Sequence, residues 1–158
     1  MKRPLVLALL LVLLPTALAA QQGSVSLGVS GGAAINTTDA QWDVDLGWGF
    51  HVNIPILATF HIAPAAELYQ IDEIYATDVG LGFKFTVPLG RSGLYAGVAP
   101  GITAYGSNAS PHVGGLVGFF TPVLSNISGF AQYRYSVVFP DDTNVRYSHV
   151  TAGLLFSF

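Results

Sequence analysis

Apolar and polar residues alternate without interruption over the twelve residues from Trp42 to Asn53. One set of alternate positions reads Trp, Val, Leu, Trp, Phe, Val, and the other reads Asp, Asp, Gly, Gly, His, Asn. Successive side chains of a β-strand point to opposite faces of a sheet, so the segment is predicted to be a strand with one apolar and one polar face. The rest of the chain determines whether the apolar face is buried or turned towards lipid.

The same alternation recurs along the chain and predicts eight strands separated by residues that favour turns. The predicted strands cover about residues 24–33, 41–53, 57–70, 77–87, 93–104, 112–121, 129–138 and 145–158. Their lengths are close to the roughly 9–11 residues with which a tilted strand crosses a bilayer. The strand at 112–121 has an ambiguous facing, because Gly114 and Gly115 blur its period.

The predicted connections alternate between two kinds. Ile54-Pro55, 88–93 and 122–128 are predicted to be turns, whereas 35–40, 71–77, 105–111 and 139–144 are predicted to be loops. These loops contain Asp39, Asp72, Glu73, Asp141 and Asp142, so one end of the fold is predicted to be acidic. Pro64 and Pro100 lie within predicted strands, and a β-bulge or local bend is expected at each because proline cannot donate a ladder hydrogen bond.

The composition of the chain indicates whether the apolar face of the strands points outward to lipid or inward. Charged residues make up 9% of the chain, whereas globular proteins average about 25%. Beyond the first twenty residues no apolar stretch approaches the roughly 20 residues of a membrane helix. A closed barrel also satisfies every backbone polar group in lipid. We therefore predict an all-β, eight-stranded antiparallel up-and-down transmembrane β-barrel with its apolar face outward. In the alternative, a soluble lipocalin- or avidin-like barrel, the surface would carry too few charges.

The first twenty residues have the pattern of a secretory signal peptide. Met1-Lys2-Arg3 is basic, an apolar run follows, and Ala17-Leu18-Ala19 matches a cleavage site. A membrane anchor is the weaker alternative, because the run is short and contains Pro15. The predicted division is residues 1–20 as signal peptide and 21–158 as barrel domain. The chain has no Cys, so neither a lipoprotein nor a disulfide is expected.

Beyond residue 20 the chain has four Lys and Arg residues against nine Asp and Glu, a formal net charge of −5. Nucleic-acid binding requires clustered Lys and Arg, and is therefore not expected. Six charged residues on the polar faces of the strands are predicted to form a luminal charge network: Asp43, Asp45, Glu67, Asp78, Lys84 and Arg134. Arg134 is predicted to be its central cation and Glu67 its partner. The network would neutralise itself and fill the lumen; alternatively, it would act as an ion gate.

The remaining candidate residues favour a membrane protein without a cofactor. His51, His61, His112 and His149 lack the spacing of a metal site, and no cofactor or metal is predicted. An interfacial aromatic girdle is predicted from the aromatic residues near the ends of strands that face the acidic loops. These are Trp42, Tyr75, Tyr105, Phe139 and Tyr147.

The end of the chain carries a more specific motif. "TAGLLFSF" resembles the terminal signal that the outer-membrane assembly machinery recognises, with Thr151 as its polar residue, then Gly153, and Phe156 and Phe158 as alternating aromatics. With "GFAQYRYSVV" and the acidic segment before it, the chain resembles the OmpA/OmpX-type barrels of Gram-negative bacteria. The resemblance implies a monomer in the cell outer membrane, surrounded by lipid and inserted by that machinery.

Three functions are compatible with this resemblance. A structural role in the envelope or a surface-contact role, with a packed polar lumen, is the leading interpretation. A small ion- or solute-conducting channel is the alternative. A lipid A-modifying enzyme comes third: Ser148, His149 and Thr151 resemble part of the site of the lipid A deacylases, but His149 and Thr151 share the inward register of Gly153, and no carboxylate follows them.

Overall fold

The computed structural model describes residues 24–38, 44–71, 74–140 and 144–158, and eight β-strands account for most of them. The strands are β1 Ser26–Asn36, β2 Val44–Pro55, β3 Phe60–Ile71, β4 Ile74–Leu89, β5 Ser92–Tyr105, β6 Asn108–Pro122, β7 Ile127–Val138 and β8 Val145–Ser157. Each strand pairs antiparallel with the next, and β1 pairs with β8 to close the barrel. The predicted all-β fold and its eight strands are therefore confirmed.

Some predicted features fall outside the described residues. They include the predicted signal peptide at 1–20 and the acidic residues Asp39, Asp72, Glu73, Asp141 and Asp142. Within the part of the chain that the structure describes, no helix is long and apolar enough to cross a membrane. The barrel has two ends: the terminal end, where β1 begins and β8 ends, and the loop end, where β1 ends and β8 begins.

At the loop end the strands extend further than the sequence predicts. The predicted loop at 71–77 is wrong, because Ile71 pairs with Ile74. The predicted loop at 105–111 is also wrong, because Tyr105 pairs with Asn108 across a two-residue turn in which Gly106 has a φ of 58°. Glycine tolerates this left-handed conformation, which suits tight hairpins. Backbone pairing thus continues through Asn and Ser residues that favour loops when considered locally.

Two turns at the terminal end share one geometry that the sequence analysis missed. The Ile56 N–H donates to the Phe60 carbonyl at 2.9 Å, and the Val123 N–H donates to the Ile127 carbonyl at 2.8 Å. The turns are residues 56–59 and 123–126, and each follows a proline that ends a strand. The predicted turn at Ile54-Pro55 is therefore wrong, since both residues belong to β2.

The expected bulges at Pro64 and Pro100 are absent. Pro64 pairs with Leu81 and Pro100 with Val113, and neither register shifts around the proline. Between β2 and β3, and likewise between β4 and β5, backbone pairing is interrupted beside the proline and then resumes in the same register. Proline has no N–H to donate, so a local gap in the ladder is sufficient and no residue is inserted.

The two faces of the barrel differ in chemistry. Large apolar side chains point outward and remain accessible, with Leu46 79%, Phe85 61% and Trp48 57% exposed. Charged and polar side chains point inward, including Asp78 and Arg134, which are buried. The ambiguous strand β6 has a regular alternation, in which His112, Gly114 and Leu116 face inward and Val113, Gly115 and Val117 face outward.

Glycine on the inward face allows neighbouring strands to approach closely. A Cβ built on Gly153 in β8 would clash with the Val29 carbonyl oxygen of β1, and one built on Gly97 would clash with the Phe83 carbonyl oxygen. In contrast, a Cβ on the outward Gly115 would meet nothing within 4 Å. Gly153 therefore has a steric role at the β1–β8 seam that closes the barrel.

We predict that Gly153→Ala lowers the free energy of unfolding by about 1–3 kcal/mol, because the added methyl must displace backbone. The matched Gly115→Ala change should leave stability unchanged or slightly higher. Urea unfolding of the detergent-folded protein measures both. If Gly153 acted only as part of a signal for the assembly machinery, the two variants would unfold at the same urea concentration.

Candidate functional site

The centre of the lumen is occupied by an ionic cluster built around Arg134. One guanidinium nitrogen, Nη2, donates to Asp78 Oδ2 at 2.5 Å and to Glu67 Oε2 at 2.8 Å. Arg134 lies on β7, whereas Glu67 and Asp78 lie on β3 and β4 on the opposite wall, so these bonds cross the lumen. The guanidinium therefore joins opposite walls of the barrel.

The strand register explains why a cation is needed at this position. Glu67 and Asp78 are directly opposite each other on neighbouring strands. Two carboxylates in this arrangement repel, and the repulsion increases in a buried environment. The side chain of Asp78 is 2% exposed and that of Glu67 is 14% exposed. Arg134 offsets the repulsion because separate N–H groups bond each carboxylate.

Two histidines flank the carboxylates, and the sequence analysis did not assign them to the cluster. His112 Nδ1 lies 3.2 Å from Asp78 Oδ1 and 3.1 Å from Thr103 Oγ1. His149 Nδ1 lies 3.6 Å from Glu67 Oε2, and its ring meets that of Tyr69 edge-on. The inward register of β8 indicated the facing of His149, whereas the ambiguous period of β6 concealed that of His112.

The cluster is only partly satisfied by protein hydrogen bonds. Five buried polar atoms in or next to the cluster have no hydrogen-bond partner among the described residues, and Asp78 Oδ1 has only the ion-pair contact with His112: they are Asp78 Oδ1, His112 Nε2, Arg134 Nε, Ser136 Oγ and His149 Nε2. Buried polar atoms normally have partners, and partly satisfied networks are costly. In the described part of the chain, no group of three or more His, Cys, Asp and Glu residues could hold a metal ion.

Lys84, another predicted member of the luminal network, does not join this cluster in the same way. Lys84 faces the lumen, but it forms no ion pair with a described carboxylate. Its Nζ instead donates to Asn53 Oδ1 at 3.1 Å and lies 5.0 Å from the centre of the Tyr95 ring. Asp45 is on the inward side of β2 near the loop end, and Asp43 lies outside the described residues.

The predicted aromatic girdle needs correction. Tyr75 and Phe139 lie on outward registers at the loop end, 64% and 42% exposed. Tyr147 faces the lumen, where its ring lies 6.1 Å from that of Tyr69, and Tyr105 has the inward register of Thr103. The girdle prediction is therefore wrong for Tyr147, because proximity to a strand end was considered without register, whereas for Tyr105, which is 38% exposed, it stays a prediction. Trp42 lies outside the described residues.

The four residues of the C-terminal motif divide between the two faces. Thr151 and Gly153 have the inward register of His149, whereas Phe156 and Phe158 have the outward register of Val150. Phe158 is 82% exposed, and its backbone N–H donates to the Val25 carbonyl at 3.0 Å. The two aromatic rings thus lie on the outer wall at the terminal end.

A closed barrel of eight antiparallel strands, with apolar side chains outside and an ionic cluster inside, has the architecture of the small transmembrane β-barrels. Solved structures of this class share the fold. Neisserial surface protein A superposes with a TM-score of 0.75 at 16% identity, over 87% of this chain and 100% of that one.

Two further structures superpose with lower TM-scores. Ail, the attachment invasion locus protein of Yersinia pestis, has a TM-score of 0.56 at 16% identity, over 86% of this chain and 100% of its own. The outer membrane protein OprG of Pseudomonas aeruginosa has a TM-score of 0.55 at 11% identity, over 87% and 97%. No protein-family model and no curated protein sequence matches the chain. These similarities establish the fold.

Proposed function

We propose that this protein is a monomeric outer-membrane barrel with a closed lumen, which serves the cell envelope structurally or through its surface rather than by passing solutes. The single observation that carries this proposal is the bridge from Arg134 to Glu67 and Asp78 across the lumen. Residues 1–20 would be removed on export, and the barrel at 21–158 would be inserted by the assembly machinery with its terminal end in the periplasm.

The outer wall supports insertion into a bilayer. Its outward positions carry exposed aliphatic and aromatic side chains such as Leu46, Trp48 and Val98. An exposed apolar surface of this extent marks a membrane or protein contact. Because a closed barrel has no unpaired edge strand, this surface can meet hydrocarbon without exposing a row of unpaired backbone groups.

The interior supports a closed state better than the alternative, an open channel. An eight-stranded barrel has an interior just wide enough for side chains to fill. Beside Glu67 and Arg134 the structure leaves a cavity of only about 20 Å³. This volume is close to the minimum that holds a single water molecule, so a continuous aqueous path would require the cluster to rearrange.

We predict negligible steady current when the purified protein is inserted into a planar bilayer. Arg134→Ala should raise the conductance, because it removes the side chain that crosses the lumen. The matched change Arg146→Ala, on an exposed residue of β8, should not. A wild-type protein with a stable open level, unaffected by loss of Arg134, would favour the channel.

The residues considered for lipid A chemistry support a non-enzymatic role. Ser148 and His149 are neighbours in β8 and therefore point to opposite faces. The Ser148 hydroxyl lies 3.1 Å from the Tyr133 hydroxyl, whereas His149 is buried beside Glu67. A nucleophile and its base must be within hydrogen-bond reach, and this arrangement separates them.

The charge of the loop-end segments favours one class of surface partner. Ail has been solved in complex with the heparin analogue sucrose octasulfate, a polyanion. In this chain the segments that connect strands at the loop end contain Asp39, Asp72, Glu73, Asp141 and Asp142, and Arg146 is the nearest cation in sequence. Like charges across a contact disfavour binding. Any surface contact of this barrel would therefore be with cationic groups or divalent cations rather than with a polysulfate.

A further inference from the structure

The lumen widens at the terminal end into a second, larger polar cavity. Its volume is about 190 Å³, and side chains from all eight strands line it. It lies on the terminal side of the Arg134 cluster. Its lining residues belong to the strand segments that adjoin either the termini or one of the turns at 56–59, 90–91 and 123–126. We call this cavity the vestibule.

Lys84 forms the inner end of the vestibule. Its side chain lines both the vestibule and the small cavity beside Arg134, and the residue is 7% exposed. Its ammonium group has only neutral partners among the described residues, the Asn53 side-chain carbonyl and the Tyr95 ring. A buried ammonium is costly unless a negative group balances it. No described carboxylate contacts this ammonium group, and Glu67, which lines the small cavity with it, acts on its charge only from a greater distance, so Lys84 still presents positive charge to the vestibule.

The remaining lining residues are mostly hydrogen-bond donors. They include His51, His61, Thr86 and the hydroxyls of four serines, whereas the Tyr95 hydroxyl already donates to Gln132; no Asp or Glu side chain is among the described residues that line the cavity. An ammonium group offers three donors, of which Asn53 takes one. Hydroxyl and imidazole N–H groups add donors that can turn towards a ligand. Donors around a single cation, without a carboxylate, are suited to an anion.

We propose that the vestibule is a binding site for a small free oxyanion of the phosphate type, with Lys84 as its charge partner. The size of the cavity supports a small ligand. Sites for drug-sized ligands have volumes of about 300–1,000 Å³, whereas the vestibule has about 190 Å³. The anion would enter along the barrel axis at the terminal end and stop at the Arg134 cluster.

This inference goes beyond the proposed function and does not depend on it. A conducting lumen would contradict the closed-barrel proposal and leave the vestibule intact, because Lys84 and Arg134 lie at different depths of the lumen. Conversely, failure to bind an anion would leave the closed lumen unaffected.

The test is titration of the purified, membrane-extracted protein with inorganic phosphate, followed by two-dimensional amide NMR. A maltoside detergent excludes headgroup phosphate, and sodium chloride holds the ionic strength constant. We expect saturable shifts confined to residues that line the vestibule, with a dissociation constant on the order of 1 mM. Lys84→Met should weaken binding by at least about tenfold. The matched change Arg91→Met, on an exposed cation in the turn at 90–91, should not weaken it.

Two smaller changes keep the test decisive if Lys84→Met fails to fold. His61→Gln and Thr86→Val alter partly exposed lining residues that contact each other at 3.4 Å, and each should weaken phosphate binding several-fold. Shifts that rise linearly without saturating, or that are the same in the wild type and in all lining variants, would overturn the proposal. So would saturable shifts that centre on Arg91 or Arg146.

Discussion

Arg134→Ala is expected to lower the free energy of unfolding of the barrel by about 3–5 kcal/mol, the cost of removing one partner from a buried ion pair. The change leaves Glu67 and Asp78 facing each other across neighbouring strands without the cation that bonds both. Urea unfolding in detergent gives the free energy, and the temperature of the heat-induced gel shift gives an independent measure.

Three companion variants separate the loss of charge from other effects. Arg134→Met keeps most of the volume, so it should be almost as destabilising as alanine if charge is the cause. The triple change of Arg134→Met with Glu67→Gln and Asp78→Asn removes the repulsion and should recover part of the stability, because neutral amides facing each other on neighbouring strands do not repel as two carboxylates do. Arg146→Ala should change stability by less than about 0.5 kcal/mol.

An unchanged unfolding midpoint for Arg134→Ala would mean that the carboxylates are already neutral or solvated, and that the cluster does not hold the barrel walls together. A triple variant no more stable than Arg134→Met would instead assign the loss to packing. The triple variant also removes Arg134 Nε, one of the five buried polar atoms that have no hydrogen-bond partner among the described residues.

Local alternation predicted which face each strand turns inward, because a period of two needs only neighbouring residues. It placed Glu67, Asp78 and Arg134 on the lumen side without information about strand pairing. Which of them meet is a different question. Contact between β3 and β7 depends on the stagger accumulated around the barrel, which no single strand specifies. Lys84 illustrates this: it has the inward register of Asp78, but its depth places it beside Asn53 and Tyr95.

The wrong predictions come from considering a residue's local preference, or its position along the chain, without the pairing and register of its strand. Loops at 71–77 and 105–111 were predicted from residues that favour turns, but a neighbouring strand supplied a hydrogen-bonding partner and extended the ladder. The bulges expected at Pro64 and Pro100 did not form, because a paired strand on the other side kept the register. Tyr147 was assigned to the girdle by its distance along the chain, whereas its register points it at Tyr69. For the loops and the prolines, tertiary pairing outweighed a local preference; for Tyr147, the local period of two already indicates the inward face.

Val98→Arg is expected to weaken folding into lipid bilayers by about 2–4 kcal/mol, the cost of Arg at the midplane on the outer wall of a barrel. Val98 is near the middle of β5, faces outward and is 52% exposed. Val123→Arg is the matched control, because Val123 is 61% exposed but lies in the turn at 123–126, at the terminal end. There the longer side chain can reach water, and the cost should be close to zero.

Urea titration of the protein in phospholipid vesicles, monitored by tryptophan fluorescence, measures both substitutions. The comparison tests the orientation of the whole fold, because the two valines differ in their position along the barrel axis rather than in exposure. A soluble barrel would place both in water, and an exposed Val→Arg change in water costs almost nothing. Equal stability of the two variants, or a wild-type protein that stays monomeric in buffer without any amphiphile, would therefore exclude a lipid-facing outer wall. A selective loss for Val98→Arg would locate the hydrocarbon around the middle of β5.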